Sequence, residues 1–237
     1  MKTNSALAAT CLALIIVALA GCSAGSKSPT QMVQDLQPTD LNAHAVLAIK
    51  QVVINRIAVM PIIADVPFGG EQLAAGAADT ITAEVYQQTS GGSWTLVPQN
   101  RVMQEVQALP PVTGANLDTT AIQVGEALSA DAVLYGKVVR YQERVGADYS
   151  AERPASVAFT LKLVDMKTKV ILWTARFART QQPLGANFFN LPNFLQNKGQ
   201  WLQAGDIARE GVTEAITNLR NSLYTQPNPA SPSPSAQ

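Results

Sequence analysis

Val157, Phe159, Leu161 and Leu163 alternate with Ala158, Thr160, Lys162 and Val164. A few residues on, Ile171, Trp173, Ala175 and Phe177 alternate with Thr174 and Arg176. A period of two sends successive side chains to opposite faces of a strand. Met166-Lys167-Thr168, between the two runs, has room only for a tight return. The pair predicts an antiparallel hairpin with one apolar face and one face partly in water. Such a hairpin must bury its apolar face, so the rest of the chain has to supply the cover.

The remaining runs supply it. Arg56-Ile57-Ala58-Val59-Met60-Pro61-Ile62 is a continuous apolar run, the mark of a strand covered on both faces, with Pro61 near its end. Leu41 to Asn55 fits a short helix running into a strand. Glu71 is expected to open a helix carrying Leu73, Ala77, Ile81 and Val85 on one face, ended by Gly91-Gly92. Trp94 to Val97 reads as a strand. A short helix then carries Val102, Met103 and Val106, with Asn100 as its cap. Thr120 and Gln123 have the spacing of a capping box, followed by Ile122 and Leu128 as inward residues. Ala132 to Arg140 is another strand, Arg144 to Pro154 a polar loop, and Gln181 to Gln200 a long loop. The last helix, about Leu202 to Leu223, has the stripe Ala208, Val212, Ala215, Ile216, Leu219 and Leu223. The predicted class is α+β: a two-layer sandwich with a mixed sheet of about five strands and helices mainly on one face. The order ends in an antiparallel meander and a C-terminal helix.

Before the domain, Lys2 and the apolar run Ala6–Ala20 have the layout of a secretion signal, and the run is shorter than the about 20 residues of a spanning helix. Leu19-Ala20-Gly21-Cys22 resembles the lipobox of bacterial lipoproteins. That resemblance implies cleavage before Cys22 and lipidation of Cys22. Ser23, where an aspartate commonly signals inner-membrane retention, implies the outer membrane with the domain facing the periplasm. The expected organisation is a signal peptide over 1–21, a flexible tether over 22–40, one α+β domain over 41–224 and a disordered tail over 225–237.

The two cysteines, Cys11 and Cys22, both precede the domain, so the domain has no disulfide and no cysteine metal ligand. Lysine plus arginine equals aspartate plus glutamate, 17 each, so there is no basic excess for nucleic acid. The single histidine, His44, lies near the tether and reads as a surface or packing residue, because general-base work needs a second positioned group and a histidine-rich metal site needs further histidines. Asp206, Glu210 and Glu214 recur on one helix face and read as a solvated face. No catalytic residue, no metal site and no cofactor beyond a covalent lipid on Cys22 is expected.

Three segments carry a resemblance. They are Ile57-Ala58-Val59-Met60-Pro61, the stretch Gly125 to Gly136 ending Ala130-Asp131-Ala132-Val133-Leu134-Tyr135-Gly136, and Leu163-Val164-Asp165-Met166-Lys167-Thr168-Lys169-Val170-Ile171-Leu172-Trp173. Together, over about Arg56 to Leu223, they resemble a group of envelope lipoproteins. The group includes the curli-secretion channel lipoprotein, penicillin-binding-protein activator lipoprotein B and the N-terminal domain of the Tol-system propeller protein. The resemblance implies a non-enzymatic binding or assembly role. Gly136 is expected to permit close backbone approach and Asp165 to cap a turn. The chain lacks the long amphipathic hairpins of the secretion channel, which argues against a pore.

One segment is unusually aromatic: Phe188, Phe189, Leu191, Phe194 and Trp201. Either they fold back as a lid or they protrude toward a partner protein or the lipid interface. The functional expectation is a lipid-anchored envelope protein, held by its N-terminal lipid, that binds another envelope protein as an assembly or activation factor. A homo-oligomeric secretion component of the curli type and a carrier of a small apolar ligand are the alternatives.

Overall fold

The computed structural model describes residues 40–66, 70, 72–147, 150–181 and 202–224. The chain divides between Pro38 and Thr39, and every described residue belongs to the second unit. The predicted hairpin is its centre. Strands β8 (Ser156–Asp165) and β9 (Ile171–Thr180) pair antiparallel, Leu161 opposite Ala175 and Phe159 opposite Phe177. The two phenylalanine rings stack with centroids 5.1 Å apart. Asp165 makes the return: its Oδ2 accepts from the Thr168 amide at 2.9 Å and from the Thr168 hydroxyl at 2.6 Å. Lys169 completes the turn at φ 60°.

Strand β1 (Leu41–Ala45) pairs with the outer side of β9. It is followed by one 3-10 turn, Leu47–Gln51. The helical segment is thus as expected, but the strand before it is an addition. Strand β5 (Ala132–Gln142) lies on the other side of β8. Beyond it, β2 (Arg56–Val59) pairs parallel with both β5 and β4 (Thr95–Leu96). Pro61 interrupts the ladder because it has no N–H to give. Pairing along β5 then resumes with β3 (Ile63–Ala64), opposite Lys137 and Val138. In the gap the Ile62 amide donates to Thr82 Oγ1 instead. The mixed sheet has seven strands, two more than expected: the edge strand β1 and the two-residue β3.

Among the described residues four helices cover the sheet. The two long ones, α1 (Ala77–Thr89) and the C-terminal α4 (Ala204–Tyr224), lie on one face, over Ile57, Val59, Leu134, Phe159, Trp173 and Phe177. The expected stripe of α4 is its inward side, with Leu223 only partly buried, and it is joined by Ala204, Ile207 and Gly211. The two short helices, α2 (Gln99–Gln107) and α3 (Leu117–Ala127), cover part of the other face, over Ala58, Met60, Val133 and Tyr135. Their cover explains why β2 reads as a continuous apolar run: Ile57, Ala58, Val59 and Met60 are buried alternately in two cores.

Helix starts differ from the expected ones. Helix α1 begins at Ala77, after Gly76 at φ 74°, rather than at Glu71; Leu73 packs against the core from the preceding segment. Helix α2 starts after Pro98, and Asn100 sits in its first turn, not at its cap. Helix α3 begins three residues before Thr120, which is itself buried. The turn before it fixes the start. Asn116 Oδ1 accepts from the Thr113 amide at 2.7 Å and Asn116 Nδ2 donates to the Pro111 carbonyl at 3.1 Å. Starting there also buries Leu117. The expected polar loop at 144–154 contains a two-stranded arm, β6 (Val145–Ala147) with β7 (Ser150–Arg153). A short arm held by backbone pairing leaves no apolar period to read.

Asp131, the acid in the Ala130-Asp131-Ala132 segment, has a structural task. Its Oδ2 accepts from the amides of Asn55 and Arg56, both at 2.9 Å, and so aligns the start of β2 beside β5. Asp131→Ala leaves two donors to water, and is expected to cost about 1–2 kcal/mol in a thermal melt, with Asp131→Asn recovering part of it. Ser129, the residue before this segment, sits at φ 49°. Ser129→Gly relieves a left-handed backbone and is expected to stabilise by about 1 kcal/mol in the same assay.

Candidate functional site: the open face of the sheet

Helices α2 and α3 cover β2, β5 and the C-terminal end of β8 but stop short of β9 and β1, and among the described residues nothing covers that part of the face. The register defines its rows. Asn42, Arg176, Thr160 and Lys137 stand side by side across β1, β9, β8 and β5. His44, Thr174, Lys162 and Tyr135 form the next row. Ala178, Ala158 and Arg140 form a third. With strands about 4.8 Å apart, the backbones at Arg176 and Lys137 are about 10 Å apart.

The face is cationic. It carries Lys137, Arg140, Lys162 and Arg176. The only carboxylate in β1, β5, β8 or β9 is Asp165, buried at the end of β8. Countercharge comes from the flanks. Lys137 Nζ pairs with Asp65 at 2.6 Å, and Lys162 Nζ contacts both oxygens of Asp118 on α3, at 2.8 and 2.9 Å. Both pairs are partly exposed, and such pairs are weak. Arg176 is exposed and makes no ion pair among the described residues. Arg140 Nε is buried and has no hydrogen-bond partner among the described residues. At the border with α3, burial first and the Asp118 carboxylate second push the Tyr135 phenol well above its ordinary range, so this hydroxyl stays protonated. The arrangement can attract and orient an acidic surface. Among the described residues it holds no nucleophile–base pair.

The reverse side of this sheet edge is a staple. Arg179 Nε meets Asp40 at 2.6 Å and Nη1 meets Glu210 at 2.5 Å, while its guanidinium stands 5.2 Å from the Phe177 ring centroid. Burial works against the Arg179 charge, and the carboxylates of Asp40 and Glu210 outweigh it, leaving its pKa raised. Burial likewise raises Glu214, with Arg179 opposing and Asp40 and Glu210 adding to the rise. The Asp206/Glu210/Glu214 face is thus engaged with Arg179 and Arg209, and no group of acids, histidines or cysteines arranged to hold a metal occurs among the described residues.

Of the residues singled out in the sequence, His44 stands exposed on the open face. Cys22 and the aromatic segment Phe188, Phe189, Leu191, Phe194 and Trp201 lie outside the described residues. Gly136 and Asp165 have their expected structural roles: a Cβ on Gly136 would lie 2.2 Å from the Thr160 carbonyl oxygen. The cationic face is not among the sequence expectations. Its signal was present in the alternation, which assigns Thr160, Lys162, Thr174 and Arg176 to the wetter side of the hairpin, but only the register adds Lys137 and Arg140.

The family described as peptidoglycan-synthase activator LpoB matches residues 77–177. Among proteins of curated function none matches. Similar solved structures include a PelC dodecamer from Paraburkholderia phytofirmans, 14% identical, covering 76% of this chain and 96% of that one, with a TM-score of 0.46. Lipoprotein GNA1162 from Neisseria meningitidis is 18% identical, over 60% of this chain and 92% of its own, with a TM-score of 0.41. The LpoB C-terminal domain from Salmonella enterica is 19% identical, over 55% and 86%, with a TM-score of 0.37. From the start of α1 to Phe177 in β9, this chain resembles the peptidoglycan-synthase activator LpoB and, with it, an LpoB-like group of lipoproteins.

Proposed function

We propose that this protein is a lipid-anchored, non-enzymatic activator of a peptidoglycan synthase. Cys22 carries the anchor in the outer membrane, and the domain works in the periplasm. The open cationic face of the sheet receives an acidic surface of the synthase. The observation that carries the reading is a coincidence of place. Lys137, Arg140, Lys162 and Arg176 all fall inside the residues that match the activator family. A face with unpaired arginine and weakly paired lysines exchanges partners at little cost, since its own ion pairs are weak. The aromatic segment Phe188 to Trp201 is proposed as a second contact with the same partner. Replacing Phe188, Phe189 and Phe194 with serine is expected to weaken capture without changing the melt.

The test is reconstitution. Full-length protein in detergent, added to purified peptidoglycan synthases of its own organism, is expected to raise the rate of glycan polymerisation by one of them. No complex and no rate change with any of them would overturn the reading. A closed ring of this chain in detergent would move it to the self-assembling secretion class instead.

A further inference from the structure

The large apolar side chains that the described residues leave exposed are not scattered. Val46, Leu47, Val53, Val170 and Tyr224, exposed to 43, 87, 77, 48 and 52%, are five of eight such residues. All five lie at one end of the sheet. The Val46 amide donates to the Leu172 carbonyl at the start of β9, and the Val170 carbonyl accepts from Asp165 at the end of β8. Val53 leads into β2, whose Arg56 carbonyl accepts from Asp131 at the start of β5. Tyr224 ends α4 and stacks on Trp94, beside β4, at 6.2 Å.

Lysine and arginine surround them. Lys50, Arg56, Lys167 and Lys169 are exposed at this end. Three acids lie among them: Glu126 pairs with Lys169, the Asp131 carboxylate accepts from the Asn55 and Arg56 amides, and Asp165 is buried in its turn. That leaves Lys50, Arg56 and Lys167 without an ion pair among the described residues. Single aliphatic side chains interleaved with free cations match a lipid headgroup boundary, where apolar tips enter and charged heads stay with the phosphates.

We propose that this end of the domain rests on an anionic phospholipid surface, with Leu47 and Val53 at the acyl boundary and Lys50, Arg56 and Lys167 on lipid phosphates. The inference is independent of the synthase reading, because it uses the end of the sheet and leaves the open face clear. Cations near an anionic leaflet each favour binding several-fold, and the Asp131 carboxylate beside Arg56 offsets part of this, so the expected preference over neutral lipid is on the order of tenfold.

Hydrogen exchange of the full chain in nanodiscs tests it, comparing phosphatidylcholine alone with a mixture containing phosphatidylglycerol. Amides of residues 46–53 and 167–170 are expected to exchange at least about tenfold more slowly in the anionic discs. Equal exchange in both would overturn the proposal. So would the same protection appearing without lipid as protein concentration rises, which would mark a contact between copies. Leu47→Ser with Val53→Ser, and separately Lys50→Glu with Lys167→Glu, are expected to abolish the protection. The charge pair decides the matter if the apolar pair disturbs folding, and protection that survives the charge pair contradicts the proposal.

Discussion

Gly136→Ala is expected to destabilise the domain by about 4 kcal/mol and to lower its melting temperature by roughly 10 °C or more. The reason is geometric. Gly136 sits in β5 opposite Leu161 of β8, and an added Cβ would lie 2.2 Å from the Thr160 carbonyl oxygen and 2.9 Å from Leu161 Cδ2. A flexible side chain could swing aside, but a carbonyl in a central ladder cannot move without breaking the pairing of β5 with β8. Overpacking usually costs about 1–3 kcal/mol, and a clash with backbone belongs above that range. Gly205→Ala, in the first turn of α4, is the control. Its Cβ would meet only Tyr141 Oη, at an ordinary 3.7 Å, so the melt is expected to stay level or rise. Parallel melts of the two variants by circular dichroism separate the close approach from any general intolerance of alanine.

Arg176→Glu is expected to leave the melt within about 0.5 kcal/mol of the original while lowering affinity for the synthase at least about tenfold. Arg176 is exposed and holds no ion pair among the described residues, so its removal frees nothing buried. Reversal does more than deletion. A glutamate next to Thr160 puts a repelling charge in the middle of the cationic rows, so Arg176→Ala should fall between the two. The loss should sit mainly in the association rate and shrink as salt is raised, because exposed charges act over about a Debye length. Surface-plasmon measurements at two ionic strengths check both parts. If Arg176→Glu binds as the original does at low salt, the open face is not the docking surface.

What the sequence makes legible is what local pattern determines. The β8–β9 hairpin shows itself because alternation and a short return need no distant information, and the stripe of α4 shows itself for the same reason. Asp165 and Gly136 could be given roles because a turn acid and a strand glycine have few other uses. Strand β1 was harder to read: Leu41-Asn42-Ala43-His44-Ala45 alternates, but its apolar side is one leucine and two alanines, and only β9, far along the chain, makes it a strand. The helix starts moved because tertiary contacts, Leu117 into the core and the Asn116 turn, outrank a capping pattern. The cationic face stayed hidden for a related reason. Lys137, Lys162 and Arg176 come from three strands whose neighbourhood exists only once the sheet is paired, and the equal totals of acids and bases conceal a local excess.

The most direct measurement is photocrosslinking in intact cells, with a photoreactive residue at Arg176 and, as control, at Asp79 on α1 on the opposite side of the sheet. The account predicts an adduct between the Arg176 position and a peptidoglycan synthase, and none from Asp79. An adduct from Arg176 only with a second copy of this chain, or a synthase adduct from Asp79 alone, would contradict it.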